Sequence, residues 1–452
     1  MKGPPARGPQ RRERHLGRNI GIVVVILVVV VAGSLAYLYQ NHALPGQKKG
    51  AAGCNSQTSI SVWQDFSATE FPAFAKAVGE YEAQNPGQVV SWVNETTPSP
   101  SNYVAAALAC QAPDILIGTS DFAGGLYFDG FLANLSQYLP STAFSPFITT
   151  ALADVSQAGG VYGFPLNVNG VAMIYNKQLV TSVPKTTDQM ISEAQNITVT
   201  SGGKITTAGL IYALDSDGGY RYPAWQAGFG GQMFQANGAP DLNTTASTDA
   251  LEFENNFSAT YKVEPPGITA ESTWEGLFSE GKVGMIFDGP WDIQMYVNAL
   301  GETNVGVATM PIVSQTGLAP KPFWGSIGAY VSLPNASGAS PTLFNNSIKF
   351  AQFLASSTVE GELFNSSGDI PSLTSTFAYV KSLNIPFENG FLDQFFNDSQ
   401  AFPNTPQMTY FWDPYNTEIS SYLAGSISAS AALGGIQTSM IQQMTQNKIP
   451  PY

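Results

Sequence analysis

An α/β body behind one apolar N-terminal segment is the architecture this sequence predicts, and three observations predict it. From Ile60 onward, short apolar strands alternate with amphipathic helical stretches, the pattern of βαβ units. Ile20 to Leu38 (IGIVVVILVVVVAGSLAYL) is an uncharged apolar run of the length that crosses a bilayer. The chain has 452 residues, enough for two or three domains and a large core.

Lys2, Arg7, Arg11, Arg12, Arg14 and Arg18 precede the apolar run, so the positive-inside rule places residues 1–19 in the cytoplasm and 20–39 in the membrane. The run is long for a cleaved signal peptide, and no small-x-small site follows it at once, so an uncleaved anchor is the preferred reading. Residues 40–57 (NHALPGQKKGAAGCNSQT) form a polar linker that lifts the body off the membrane. The expected location is the cell membrane, single-pass, with the body on the extracellular side.

Along the body, SISVWQ reads as a strand, and Phe71 to Gln84 as a helix stopped by Asn-Pro-Gly at 85–87. VVSWV is a second strand and NYVAAALAC a helix. DILIG is a wholly apolar strand of the kind buried in a parallel sheet. Further strands are predicted at GVAMIY, VGMIF and YVSL, and further helices at 246–261, 341–356 and 417–445.

Only 12% of residues are charged and the net charge is −14, yet 44% are apolar. After Lys49 the only arginine is Arg221, so the body is poorly equipped to neutralise phosphates, and nucleic acid is excluded as a partner. The two histidines, His15 and His42, lie in the tail and linker. The body therefore lacks Ser-His-Asp and Cys-His nucleophilic chemistry and histidine metal sites. No P-loop and no GxGxxG after a strand occurs, and neither cofactor nor metal is expected. Paired carboxylates leave a surface glycosidase open by residue type. Asp288 and Asp292 flank Gly289-Pro290-Trp291, but a turn after a buried strand explains them. Cys54 and Cys110 both lie in the exported part. They can pair in an oxidising location, remain as thiols, or Cys54 can carry a lipid at AAGC.

PDILIGTSDFAGG (113–125), MIYNK (173–177), DGPW (288–291), KPFWG (321–325) and PQMTYFW (406–412) occur in an order and spacing that resemble the maltose and maltodextrin-binding branch of the extracellular solute-binding proteins of ABC importers. The likeness runs from about Val62 to the C-terminal helix. It implies a two-lobed periplasmic-binding-protein fold with three interlobe crossings, near Asn167–Asn169, Thr309–Ile312 and Gly368–Pro371. The implied lobes are 58–167 with 312–369, and 168–311 with 370–452.

By position, the resemblance makes Asp121 a sugar-binding aspartate and Asp217 a second ligand-binding acid, with Tyr220 and Tyr222 beside it. Trp291 and Trp412 match ligand-stacking tryptophans, and Asp65 and Glu70 lie in a sugar-contacting loop. Asn169 and Trp324 complete the candidate set. Gly118 stands where these proteins often carry Trp, Phe122 where they have Arg, and Asn169 where they have Glu.

The residues themselves suit a neutral sugar, with rings for its C–H faces and carboxylates and amides for its hydroxyls. The resemblance implies a monomeric binding protein, not an enzyme, that delivers a maltodextrin-like oligosaccharide to ABC permease subunits. The alternatives are a peptide or polyamine receptor and a glycosidase. The scarcity of charge, with Asn169 replacing an acid, fits either a site suited to acidic surroundings or compositional drift alone.

Overall fold

The computed structural model describes residues 58–94, 100–214 and 218–452. Its first sheet contains β1 (Ile60–Gln64), β2 (Val90–Asn94), β3 (Ile115–Thr119), β4 (Gly163–Pro165) and β12 (Ile327–Val331), in the spatial order β2-β1-β3-β12-β4. β1 runs parallel to β2 and β3, and β12 antiparallel to β3 and β4.

The side chains of β3 show why its run is continuously apolar. Ile115 and Ile117 enter one hydrophobic core and Leu116 the other, so helices cover both faces of the sheet. Helix Phe71–Gln84 covers one face, burying Ala73, Phe74, Ala77, Val78 and Tyr81 at helical spacing. It starts with Pro72 in its first turn and gives way to a turn at Gly87 (φ 92°).

A second sheet has the order β10-β6-β9-β8-β7, from β6 (Ala172–Asn176), β7 (Val199–Ser201), β8 (Lys204–Ile211), β9 (Val283–Asp288) and β10 (Val305–Ala308). Its two faces also differ. Met173, Met285 and Phe287 join one core, whereas Ala172, Ile174 and Ile286 join another. The molecule thus has two α/β lobes, each with its own sheet and cores.

The passages between lobes lie side by side. The first leaves β4, bridges Val168 to Ile370 of the third, and continues through β5 (Asn169–Gly170) into β6. The return is β11 (Phe323–Gly325) into β12, and β11 pairs with both β5 and β13 (Gln400–Ala401). The return therefore lies later than expected. Ile312 bridges Thr186 and Val313 is buried in the second lobe's core, so residues 309–313 stay within that lobe. Gly170 is required at the crossing, because a Cβ there would sit 2.5 Å from the Trp324 ring.

The C-terminal helix expected over 417–445 is two helices, Trp412–Leu423 and Ala429–Gln446, broken at Gly425 (φ 70°). Among the described residues no helix is long and apolar enough to cross a membrane. The apolar segment 20–38 and the linker lie outside them.

Candidate binding site between the lobes

The loop after β1 forms one wall of the site. Phe66 N donates to Gln64 Oε1 (2.7 Å), Ser67 N to Glu70 Oε2 (2.7 Å), and the Ser67 and Thr69 hydroxyls pair at 2.8 Å. These local bonds compete successfully with strand pairing and hold the loop as a tight entry to helix Phe71–Gln84. Thr69 Oγ1 also donates to the carbonyl of Trp291, a bond that spans the two lobes.

The opposite wall begins where β9 ends in the short turn Pro290–Asp292. Trp291 folds back over Gly289, where a Cβ would lie 2.0 Å from the indole, so only glycine fits. Between the walls is a cavity of about 870 Å³. Its lining includes Asp65, Thr69 and Glu70 from the first lobe, Tyr220, Trp291 and Asp292 from the second, and Asn169 from the crossing.

Aromatic rings form a continuous run along this space. Trp291 and Tyr220 have centroids 6.3 Å apart, Tyr220 and Phe402 5.3 Å, and Phe402 and Trp412 6.4 Å. Such tilted and edge-on pairs hold each ring in place and leave a broad apolar surface. Asn169 is 6% exposed and its Oδ1 has no hydrogen-bond partner among the described residues. An orphaned buried amide oxygen in a cavity wall is a natural acceptor for a ligand donor.

The acids are displaced from ordinary titration. Asp288 is pushed up to about 8 by burial and then by Asp292, despite bonds from Tyr296 Oη (2.5 Å) and Gly289 N (2.8 Å). Asp292 also rises to about 8, through burial and then the charges of Glu275 and Glu271. Burial raises Glu70 well above the usual carboxylate range, and neighbouring Asp369 adds to the shift.

The expected site residues fall into two groups in the structure. Asp65, Glu70, Asn169, Tyr220 and Trp291 line the cavity. Asp121 and Trp412 lie at the end of the aromatic run, bonded to each other, with Trp412 Nε1 2.8 Å from Asp121 Oδ2. Tyr222 is in the core instead: it is fully buried, and its hydroxyl donates to Ser247 O (3.1 Å). Two positions along a helix from Tyr220, it faces the other way.

Trp324 is also core, 2% exposed and 4.9 Å from Phe395, because alternate side chains of β11 point to opposite faces. Asp217 lies outside the described residues. Cys110 is disulfide-bonded, and the only other cysteine of the chain, Cys54, is outside the described residues.

Asp288 and Asp292, read from sequence as turn residues, also line the cavity, and the lining residues not anticipated are Arg221, Glu271, Glu275 and Phe402. Their one sequence signal is the Glu-x-x-x-Glu spacing at the start of helix Glu271–Ser279, which puts both acids on one face.

Residues 76–382 match the family described as bacterial extracellular solute-binding protein. The chain belongs to that family. Among relatives of this solute-binding protein, the maltooligosaccharide ABC transporter solute-binding lipoprotein of Streptococcus pneumoniae is 28% identical over 343 residues, covering 74% of this chain and 77% of the relative. The maltotriose-binding protein of Pyrococcus abyssi is 26% identical, covering 80% and 76%. A solved maltose/maltodextrin-binding domain of Bdellovibrio bacteriovorus, bound to maltotriose, superposes with a TM-score of 0.79 at 26% identity, covering 86% of this chain and all of that one. This supports the two-lobed fold described above.

Proposed function

We propose that this solute-binding protein captures a neutral, maltodextrin-like oligosaccharide outside the cell and hands it to the permease subunits of an ABC transporter. The observation that carries the reading is the run of rings from Trp291 to Trp412 beside a cavity edged by Asp65, Asn169 and Glu70. Sugar rings present apolar C–H faces to such a floor, while their hydroxyls meet the carboxylates and amide. Its relatives are named for maltooligosaccharide and maltotriose binding, which points to the same class. Asp121 and Trp412 bound the far end of the site as a latch.

On this reading one lobe comprises 58–167 with 326–369 and the other 168–325 with 370–452. A monomer suffices, since both walls come from one chain. Anchoring is assigned to Ile20–Leu38, on its length, lack of charge and basic flank. Incubating the full chain with maltodextrins tests binding against hydrolysis. Saturable binding without release of reducing ends is expected, and turnover would make the protein a glycosidase.

A further inference from the structure

We propose that Asn243 carries an N-linked glycan, attached on the outer side of the membrane through the sequon Asn243-Thr244-Thr245. Nine Asn-x-Ser/Thr sequons follow the linker, and the structure separates this one from the others it describes. A transferase must reach two groups of a sequon, the asparagine amide and the hydroxyl two residues later. On a helix, side chains two positions apart point away from each other. On extended backbone they share a side.

Asn256, Asn335, Asn345 and Asn365 lie inside helices Thr245–Ala259, Pro334–Ser337, Pro341–Leu354 and Ser357–Ser366. Ser337, Ser347 and Ser367, which complete the last three of these sequons, are at most 1% exposed. Three further sequons are tied up by hydrogen bonds. Asn134 is half-buried, and its Oδ1 accepts from Ser136 N (3.1 Å). Thr198, which completes the sequon of Asn196, donates to Ala194 O (2.7 Å). Ser399, which completes that of Asn397, donates to Phe395 O (2.6 Å). The side chain of Asn94 lies outside the described residues.

Asn243 differs on each count. It sits in the bend before helix Thr245–Ala259, and Thr244 is extended (φ −122°, ψ 162°). The side chains of Asn243 and Thr245 therefore leave the backbone on the same side. Both residues are exposed, and neither side chain has a hydrogen-bond partner among the described residues. The backbone beneath them is nevertheless fixed. Gln437 Oε1 accepts from Leu242 N (2.8 Å) and Asn243 N (2.9 Å), and Thr244 Oγ1 caps the helix by accepting from Ser247 N (3.1 Å). No residue of the bend lines the cavity between the lobes, so a glycan here leaves the cleft clear.

The donor is an oligosaccharide linked to a polyprenyl phosphate or diphosphate. A bond forms between Asn243 Nδ2 and the anomeric carbon as the C–O bond to phosphate breaks. The lipid phosphate leaves with the bonding pair, and the amide gives one proton to a base of the transferase. The product adds hydroxyls but no charge, which hydrates a chain with only 12% charged residues.

The inference rests on the outward location of the body and not on which solute it carries. The full chain is purified from the membranes of its own cells, and peptides spanning the sequons are weighed by mass spectrometry. A glycan mass on the Asn243 peptide is expected, with Asn335, Asn345 and Asn365 bare. Thr245→Ala keeps the asparagine, changes an exposed position, and is expected to abolish the added mass. A bare Asn243, a glycan that survives Thr245→Ala, or equal modification of the three helical sequons would overturn the assignment. Protease applied to intact cells separates the two ways of failing. A body cleaved from outside with Asn243 bare removes the site alone, whereas a shielded body removes the outward location with it.

Discussion

Trp412 Nε1 donates a 2.8 Å hydrogen bond to Asp121 Oδ2, joining the start of helix Trp412–Leu423 to the first turn of helix Ser120–Phe128. Asp121 is 2% exposed and also accepts from Thr119 Oγ1 at 2.5 Å. Trp412 packs edge-on to Phe402 and Phe411. With Thr69 and Trp291 at the other end, the cleft is held by bonds between lobes at both ends.

Trp412→Phe keeps a ring in that packing but removes the bond. A hydrogen bond to a charged group contributes roughly 1.5–3 kcal/mol. The variant should populate a more open arrangement without ligand. Small-angle scattering is expected to give a larger radius of gyration than the parent, and an unchanged radius would remove the latch from the account.

Trp291→Ala addresses the aromatic floor. The ring is half-buried, and its loss removes apolar contact area from a bound sugar. Affinity for maltotriose should fall by roughly 1–3 kcal/mol. The melting temperature of the unliganded protein should move much less than for a core tryptophan such as Trp225, where removal costs about 3–5 kcal/mol. Calorimetry and thermal denaturation read the two effects separately.

Gly170→Ala would force a methyl group against the Trp324 indole, at the point where the first passage pairs with the return. Overpacking of this kind costs about 1–3 kcal/mol. A lower melting temperature is expected, with partial recovery when Trp324 is replaced by leucine in the same chain. A tolerated alanine would mean that the crossing is looser than the contact implies.

Buried acids should make this protein more stable in mild acid than in base. Burial pushes Asp154 and Glu360 up to about 7 and Glu388 up to about 8, against ordinary values of 3.8 and 4.5. Between those limits the folded state holds protons that the unfolded chain has released, so stability falls as pH rises. The contribution is complete below the unfolded values and lost by the folded ones. Each group changes stability by up to about 1.4 kcal/mol per pH unit inside its window. Melting temperature should therefore rise from pH 8 to pH 5, and a fall would contradict these environments.

Much of the fold was legible because burial leaves a periodic trace. Phe71–Gln84 repeats apolar residues at helical spacing and ends at Asn-Pro-Gly, and the structure has the same helix. Within DILIG, the run Ile115–Gly118 is apolar because both faces of β3 are covered. The return crossing was expected near Thr309–Ile312 because no local pattern in that stretch shows which lobe it packs in; only tertiary contacts, the bridge from Ile312 to Thr186 and the burial of Met310 and Val313, keep it in the second lobe.

The site was legible less evenly. Trp291 lies beside the glycine and proline of its turn, so its position could be read locally. Tyr220 and Tyr222 differ only in which helix face they occupy, and nothing local to KPFWG shows that Trp324 is buried in the core. Neither placement is visible without neighbours. Glu271 and Asp292 meet through tertiary packing alone, and no local pattern joins them.

The measurement that tests the central claim most directly is calorimetric titration of the full chain with maltotriose. A receptor of the proposed kind gives saturable heat at one site per chain, weakened by Trp291→Ala. No saturable heat at millimolar maltotriose, from a protein that melts cooperatively, would contradict it.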